Sequence, residues 1–175
     1  PAATFAPELV ELLYTGSFYT FRRADALLSA VTQVEGVRLS IGTIAPPEYL
    51  IEAARTHPDK FRLLGFLAHR DALALQRTCD LTVNLANADP VQVPGKIYEY
   101  LGAAGPVLHL RGPSPDATSH LIDELGAGWH LDPEDGKLPE LLSALVDQKR
   151  QHGRLLSAGA DTRIVRRYSW QSLAQ

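Results

Sequence analysis

The sequence predicts an α/β fold: one three-layer α/β/α domain around a parallel sheet of about six strands. Three observations carry that expectation. Short apolar runs alternate with amphipathic stretches along the chain, as strands covered by helices require. Glycine and proline punctuate the units, with Gly16 and Gly42 closing the first two runs and Gly105-Pro106 leading the fifth. The length of 175 residues and the 45% hydrophobic content suit a single domain with a substantial core, spanning residues 1–175 with no internal linker.

Each element follows from local pattern. Residues 9–15 form an apolar first strand that stops at Gly16-Ser17. A helix follows, because Ala26, Leu27, Ala30, Val31 and Val34 share one face at helical spacing. Residues 37–42 make a second strand closed by Gly42, and Pro46-Pro47 open a helix with its body at 49–55. A third strand covers 61–66, and a helix over 71–78 takes its N-cap within His69-Arg70-Asp71. Residues 81–85 are a fourth strand, leading through Asn87-Ala88-Asp89-Pro90 to a short helix over 95–104. Gly105-Pro106 punctuation introduces a fifth strand at 106–110. Residues 117–125 are helical, 128–131 form a sixth strand, and 139–156 a final helix with Leu141, Leu142, Leu145 and Val146 on one face. Trp129 and Trp170 are expected to pack rather than bind.

The bulk numbers exclude several classes. A net charge of −3 argues against a general nucleic-acid binder, and no apolar run approaches the ~20 residues of a membrane span. The N-terminus lacks the charged head and apolar core of a signal peptide. Cys79 is the only cysteine, so no intramolecular disulfide forms; it is expected as a small buried residue, and a reducing cytoplasm is the simplest location. The six histidines show no metal-ligand spacing with Asp or Glu, so no metal is expected. Neither G-x-G-x-x-G, nor a P-loop, nor a G-x-S-x-G elbow is present.

Ligands of open parallel sheets collect beyond the carboxyl ends of the strands, and two loops there carry unusual chemistry. In the first, Gly16 and Ser17 let a ligand approach the backbone, while Arg22 and Arg23 have the planar donors to clamp a diphosphate; solvated arginines at a helix start remain the alternative. In the second, Pro94 and Gly95 open a helix with unpaired first amides, and Lys96 adds a flexible charge. Glu99, one turn on, has a carboxylate suited to the two vicinal hydroxyls of ribose. A plain Lys96–Glu99 surface pair is the competing reading. His69 follows the third strand at the same edge.

The segment Val93-Pro94-Gly95-Lys96-Ile97-Tyr98-Glu99-Tyr100-Leu101-Gly102-Ala103-Ala104-Gly105-Pro106-Val107-Leu108 resembles the signature of GT-B fold glycosyltransferases of the bacterial family 4-like, or group 1, kind. Residues 12–17, 61–67 and 79–81, together with Ala127-Gly128 and Tyr168-Ser169-Trp170, resemble further family features in the same order. The resemblance implies a Rossmann-like domain, the C-terminal nucleotide-sugar-binding half of such an enzyme. It implies that Glu99 binds the nucleotide ribose, that the helix start at Pro94, Gly95, Lys96 and Ile97 receives the diphosphate, and that Arg22 or Arg23 neutralises the leaving group. It also implies that Leu67, Ala68 and His69 line the base. Val91 departs from the pattern, standing where many retaining members carry a second glutamate.

The function implied is donor binding for sugar transfer from a UDP- or GDP-sugar to a glycan or lipid-linked acceptor. No cofactor or metal takes part. An N-terminal acceptor domain of the same parent is the implied partner, and contact with the inner membrane face is open to that parent. The isolated half is expected to bind without turnover. Half of a sugar-nucleotide epimerase, and a non-catalytic α/β interaction domain, are the alternatives.

Overall fold

The computed structural model describes residues 4–19, 24–103, 105–112 and 114–155. In chain order the elements are β1 (Val10–Thr15), α1 (Asp25–Gln33), β2 (Val37–Gly42), α2 (Glu48–Thr56), β3 (Phe61–Gly65), α3 (His69–Thr78) and β4 (Leu81–Leu85). They continue with α4 (Lys96–Gly102), β5 (Val107–Leu110), α5 (Ala117–Leu125), β6 (Gly128–Leu131), a 3₁₀ turn (Pro133–Asp135) and α6 (Leu138–His152). All six strands are parallel, in the order β3-β2-β1-β4-β5-β6. This is a Rossmann-like doubly wound sheet, with the expected strands in the expected sequence.

Parallel strands are covered on both faces, so their sequences read as continuous apolar runs. Every residue of β1 is buried, as is every residue of β4 and β5. One core cluster joins Val10, Leu12 and Tyr14 to residues of α1, α2 and α6, and Trp129 packs against it. A second joins Ile97, Tyr100 and Leu101 of α4 to Leu121, Ile122 and Leu125 of α5. Helices therefore lie on opposite faces, which is what reversing the strand order between β1 and β4 requires.

Several boundaries differ from the expectation. β1 begins at Val10, and β3 ends at Gly65, whose φ of 68° turns the chain and leaves Phe66 exposed. No side chain caps α3: the helix starts at His69, and Ala68 O accepts from the amides of Asp71 (2.9 Å) and Ala72 (3.0 Å). Asp71 thus sits inside the first turn, where it favours the helix dipole instead. α4 is shorter than 95–104, and Pro106 stays outside β5 because it lacks an N–H. α6 ends at His152, since Gly153 adopts φ 71° in a left-handed cap. Leu156 and the segment 168–170 lie outside the described residues.

The amino end of the sheet is closed by charge. Glu11, fully buried in β1, pairs with Arg38, and Lys149 Nζ reaches Asp80 (2.6 Å) and the Leu9 carbonyl (2.6 Å). Thr15 and Asn84, at the opposite end, line an open crevice.

Candidate nucleotide-binding cleft

Two clefts open at the carboxyl edge where the strand order reverses. The first, about 480 Å³, lies over the ends of β1 and β4 and meets Asn84, Gln92, Pro94, Gly95 and Tyr19. The second, about 340 Å³, lies over β2 and β3 and meets Phe66, Leu67 and His69. Both share Thr15, Gly16, Ser17 and Lys96, so they form one groove with a basic side chain at its waist.

Most of the residues expected from sequence converge there. Gly16 extends the β1–β2 ladder by donating to Gly42 O (3.0 Å), and a Cβ on it would meet the Tyr14 hydroxyl at 3.1 Å. Ser17 holds the loop through its carbonyl, which accepts from Tyr14 Oη (2.9 Å). Leu67 lies across Gly42, where an added Cβ would come within 2.5 Å of Leu67 Cδ1. Ala68 is exposed at the N-cap of α3 and touches neither cleft, whereas His69 lines the second. Arg22 and Arg23 lie outside the described residues.

The second loop differs from the expectation at two residues. Ile97 is fully buried among α5 residues, and its amide is taken by Pro94 O (3.0 Å), so it anchors the loop instead of facing the groove. Glu99 is absent from the lining of both clefts; its carboxylate accepts from Lys96 Nζ at 2.7 Å, the surface pair that spacing also allowed. The amides of Gly95 and Lys96 carry no hydrogen bond among the described residues. Upstream, Asp89 Oδ1 accepts from Val91 N (3.0 Å), and Pro90 O accepts from Ala117 N (3.0 Å), tying the loop to α5. Val91 itself points outward, 78% exposed.

Beneath the groove lies polar chemistry that sequence reasoning missed. Tyr100, fully buried, donates to Thr15 O (3.0 Å) and accepts from Thr15 N (3.2 Å). Burial pushes its phenol pKa upward, so the proton stays. Gln76, also fully buried, donates from Nε2 to Thr15 Oγ1 (3.1 Å). In β5, His109 lies between Asp116 and Asn84. Burial lowers its pKa despite the Asp116 carboxylate, which pulls the other way. Burial alone would raise Asp116, but hydrogen bonds from Ser119 and His109 outweigh it and the net shift is downward. The helical spacing of Ile97, Tyr100 and Leu101 is the one sequence signal of their shared buried face, and nothing in it links Tyr100 to Thr15.

Cys79 is half-buried, and burial pushes its thiol up to about 12, so it is an inert packing residue. Among the described residues, no group of three or more His, Cys, Asp or Glu could hold a metal ion. No described helix is long and apolar enough to cross a membrane.

No protein-family profile matches the sequence, and no curated protein does either. Solved structures do. HepE from Anabaena, determined with UDP and glucose, superposes at TM-score 0.65 with 14% identity, over 95% of this chain and 48% of that one. Sucrose-phosphate synthase from Thermosynechococcus elongatus gives 0.70 at 16% identity, over 97% and 44%. A Listeria monocytogenes protein described as a UDP-N-acetylglucosamine 2-epimerase gives 0.55 at 17%, over 90% and 43%. The chain spans less than half the length of each. Its fold is the Rossmann-like α/β fold found in GT-B glycosyltransferases.

Proposed function

We propose that this chain is the donor-binding half of a GT-B glycosyltransferase and holds a UDP- or GDP-sugar in the groove. The carrying observation is two clefts that meet at Gly16, Ser17 and Lys96 above the topological switch point. A nucleoside diphosphate sugar has the same three-part shape. The base occupies the second cleft beside Leu67 and His69, the diphosphate sits at the waist, and the sugar enters the first cleft.

Lys96 supplies a point charge for the diphosphate, and the free Gly95 and Lys96 amides donate beside it. Glu99 reaches the ribose only after leaving Lys96. That costs little, because a partly exposed pair of this kind is worth about 0–1 kcal/mol, and the arriving diphosphate replaces the carboxylate as partner of Lys96. Positive charge fixed at the waist stabilises the departing nucleotide diphosphate as the glycosidic bond breaks. Arg22 and Arg23 are proposed to add to it. The reaction needs an acceptor domain elsewhere in the parent protein, so this half binds nucleotide without turnover. The scheme suits a cytoplasmic parent that meets its acceptor at the inner face of the membrane.

Calorimetric titration with UDP and GDP tests the reading. Saturable binding is expected, weakened by Glu99→Ala and unaffected by Glu124→Ala on the exposed side of α5. Absence of binding to either nucleotide contradicts it and favours an interaction module. The epimerase likeness supplies a second reading, distinguished by conversion of a UDP-sugar to its epimer without any acceptor.

A further inference from the structure

Asn84 of β4 and His109 of β5 are register partners, and both side chains are buried. Their protonation pattern follows from what surrounds them. Asp116 uses its carboxylate to cap α5, accepting from Ser119 N (2.8 Å) and Ser119 Oγ (3.0 Å). The same carboxylate stands 3.1 and 3.0 Å from His109 Nε2. A carboxylate only accepts, so Nε2 carries the proton. With the ring held neutral by burial, Nδ1 is left as a bare acceptor.

The orientation of the Asn84 amide then has one solution. Its side-chain nitrogen lies 2.9 Å from His109 Nδ1 and donates to it. The opposite tautomer would let Nδ1 donate to Asn84 O, 3.4 Å away, but would set a bare Nε2 against the carboxylate. Asn84 Oδ1 therefore faces away from the histidine. It makes no hydrogen bond to a described residue and is not sealed from solvent, since Gln76 Oε1 is the only buried side-chain atom without a partner among the described residues. Asn84 lines the first cleft.

We propose that Asn84 is a specificity residue that presents an acceptor-only oxygen to the ligand, locked in place by His109 and Asp116 as positioning residues. Resting on the nucleotide-sugar reading, it defines the sugar class. The proposal seats the C6 substituent of the donor sugar at Oδ1. The C6 hydroxyl of a neutral hexose donates its proton there. The C6 carboxylate of a uronic acid, a second acceptor-only group, meets repulsion, because the amide cannot flip without breaking its bond to His109.

The test uses the full chain, titrated with UDP, UDP-glucose and UDP-glucuronate. UDP-glucose is expected to bind about tenfold more tightly than UDP-glucuronate, one hydrogen bond gained against one unpaired acceptor. Asn84→Ala should collapse that ratio, and Glu124→Ala should preserve it. A wild-type ratio near one, or a ratio that survives in Asn84→Ala, overturns the proposal while leaving the nucleotide site standing. Loss of UDP binding itself overturns both. The ¹⁵N shifts of His109 in the unsubstituted chain give a second readout, with the proton expected on Nε2 at neutral pH. A proton on Nδ1 contradicts the locked orientation.

Discussion

His109 is the residue on which burial and charge act most visibly. It sits in the centre of β5, fully buried, with its pKa pushed down by desolvation against the pull of Asp116. The unfolded chain takes up a proton at this histidine near pH 6.5, the ordinary value, whereas the native ring stays neutral to lower pH. The unfolded state then binds more protons, so this residue's contribution to stability is present above pH 6.5 and lost as the pH falls below it. Urea-unfolding midpoints measured from pH 7.5 to 5.5 should fall more steeply for the natural sequence than for His109→Gln. Parallel slopes would contradict that account. In the sequence His109 was one of six scattered histidines, and its role depends on Asp116 and Asn84, placed beside it by folding. Glu99 was legible in part: spacing offered both a ribose ligand and a partner for Lys96, and the structure holds the pair.

At the scale of elements, the strands were the readable part. Burial on both faces forces each parallel strand into an apolar run, and all six stand within a residue of their expected bounds. Helix ends were harder to read, because caps depend on backbone detail: α3 starts at His69 without a side-chain cap, and α6 stops at Gly153. The element that builds the groove is α4, seven residues long and also without a side-chain cap. Packing holds it. Tyr100 bonds both the amide and carbonyl of Thr15, fixing α4 against β1, and Gln76 of α3 bonds the same threonine. Tyr100→Phe leaves buried polar groups of Thr15 unpaired and should destabilise the chain by about 1–3 kcal/mol. Denaturant melts check this; a midpoint equal to that of the natural sequence would show that α4 is held by apolar contact alone. Thr15 and Tyr100 are 85 residues apart, and only the strand order brings them together.

For the whole molecule, the order β3-β2-β1-β4-β5-β6 decides where a ligand can sit. It sends helices to opposite faces on either side of β1 and β4 and opens a crevice at their carboxyl ends. Part-buried ion pairs close the other end. The order itself was not written in the apolar pattern. The rule that ligands gather at this edge, with the residues they carry, singled out the loops after β1 and β4 and pointed to His69 after β3, while Leu67 and Ala68 came from the family resemblance. Of the expected residues in those loops, Gly16, Ser17, Leu67, His69, Pro94, Gly95 and Lys96 line one groove. The most direct test of the central claim is a ¹H–¹⁵N amide spectrum recorded while UDP is added. The account predicts saturable shifts at Gly16, Ser17, Gly95 and Lys96, with His69 following as the base docks. Saturable shifts confined to residues outside the groove, or an unchanged spectrum at millimolar UDP and GDP, would contradict it.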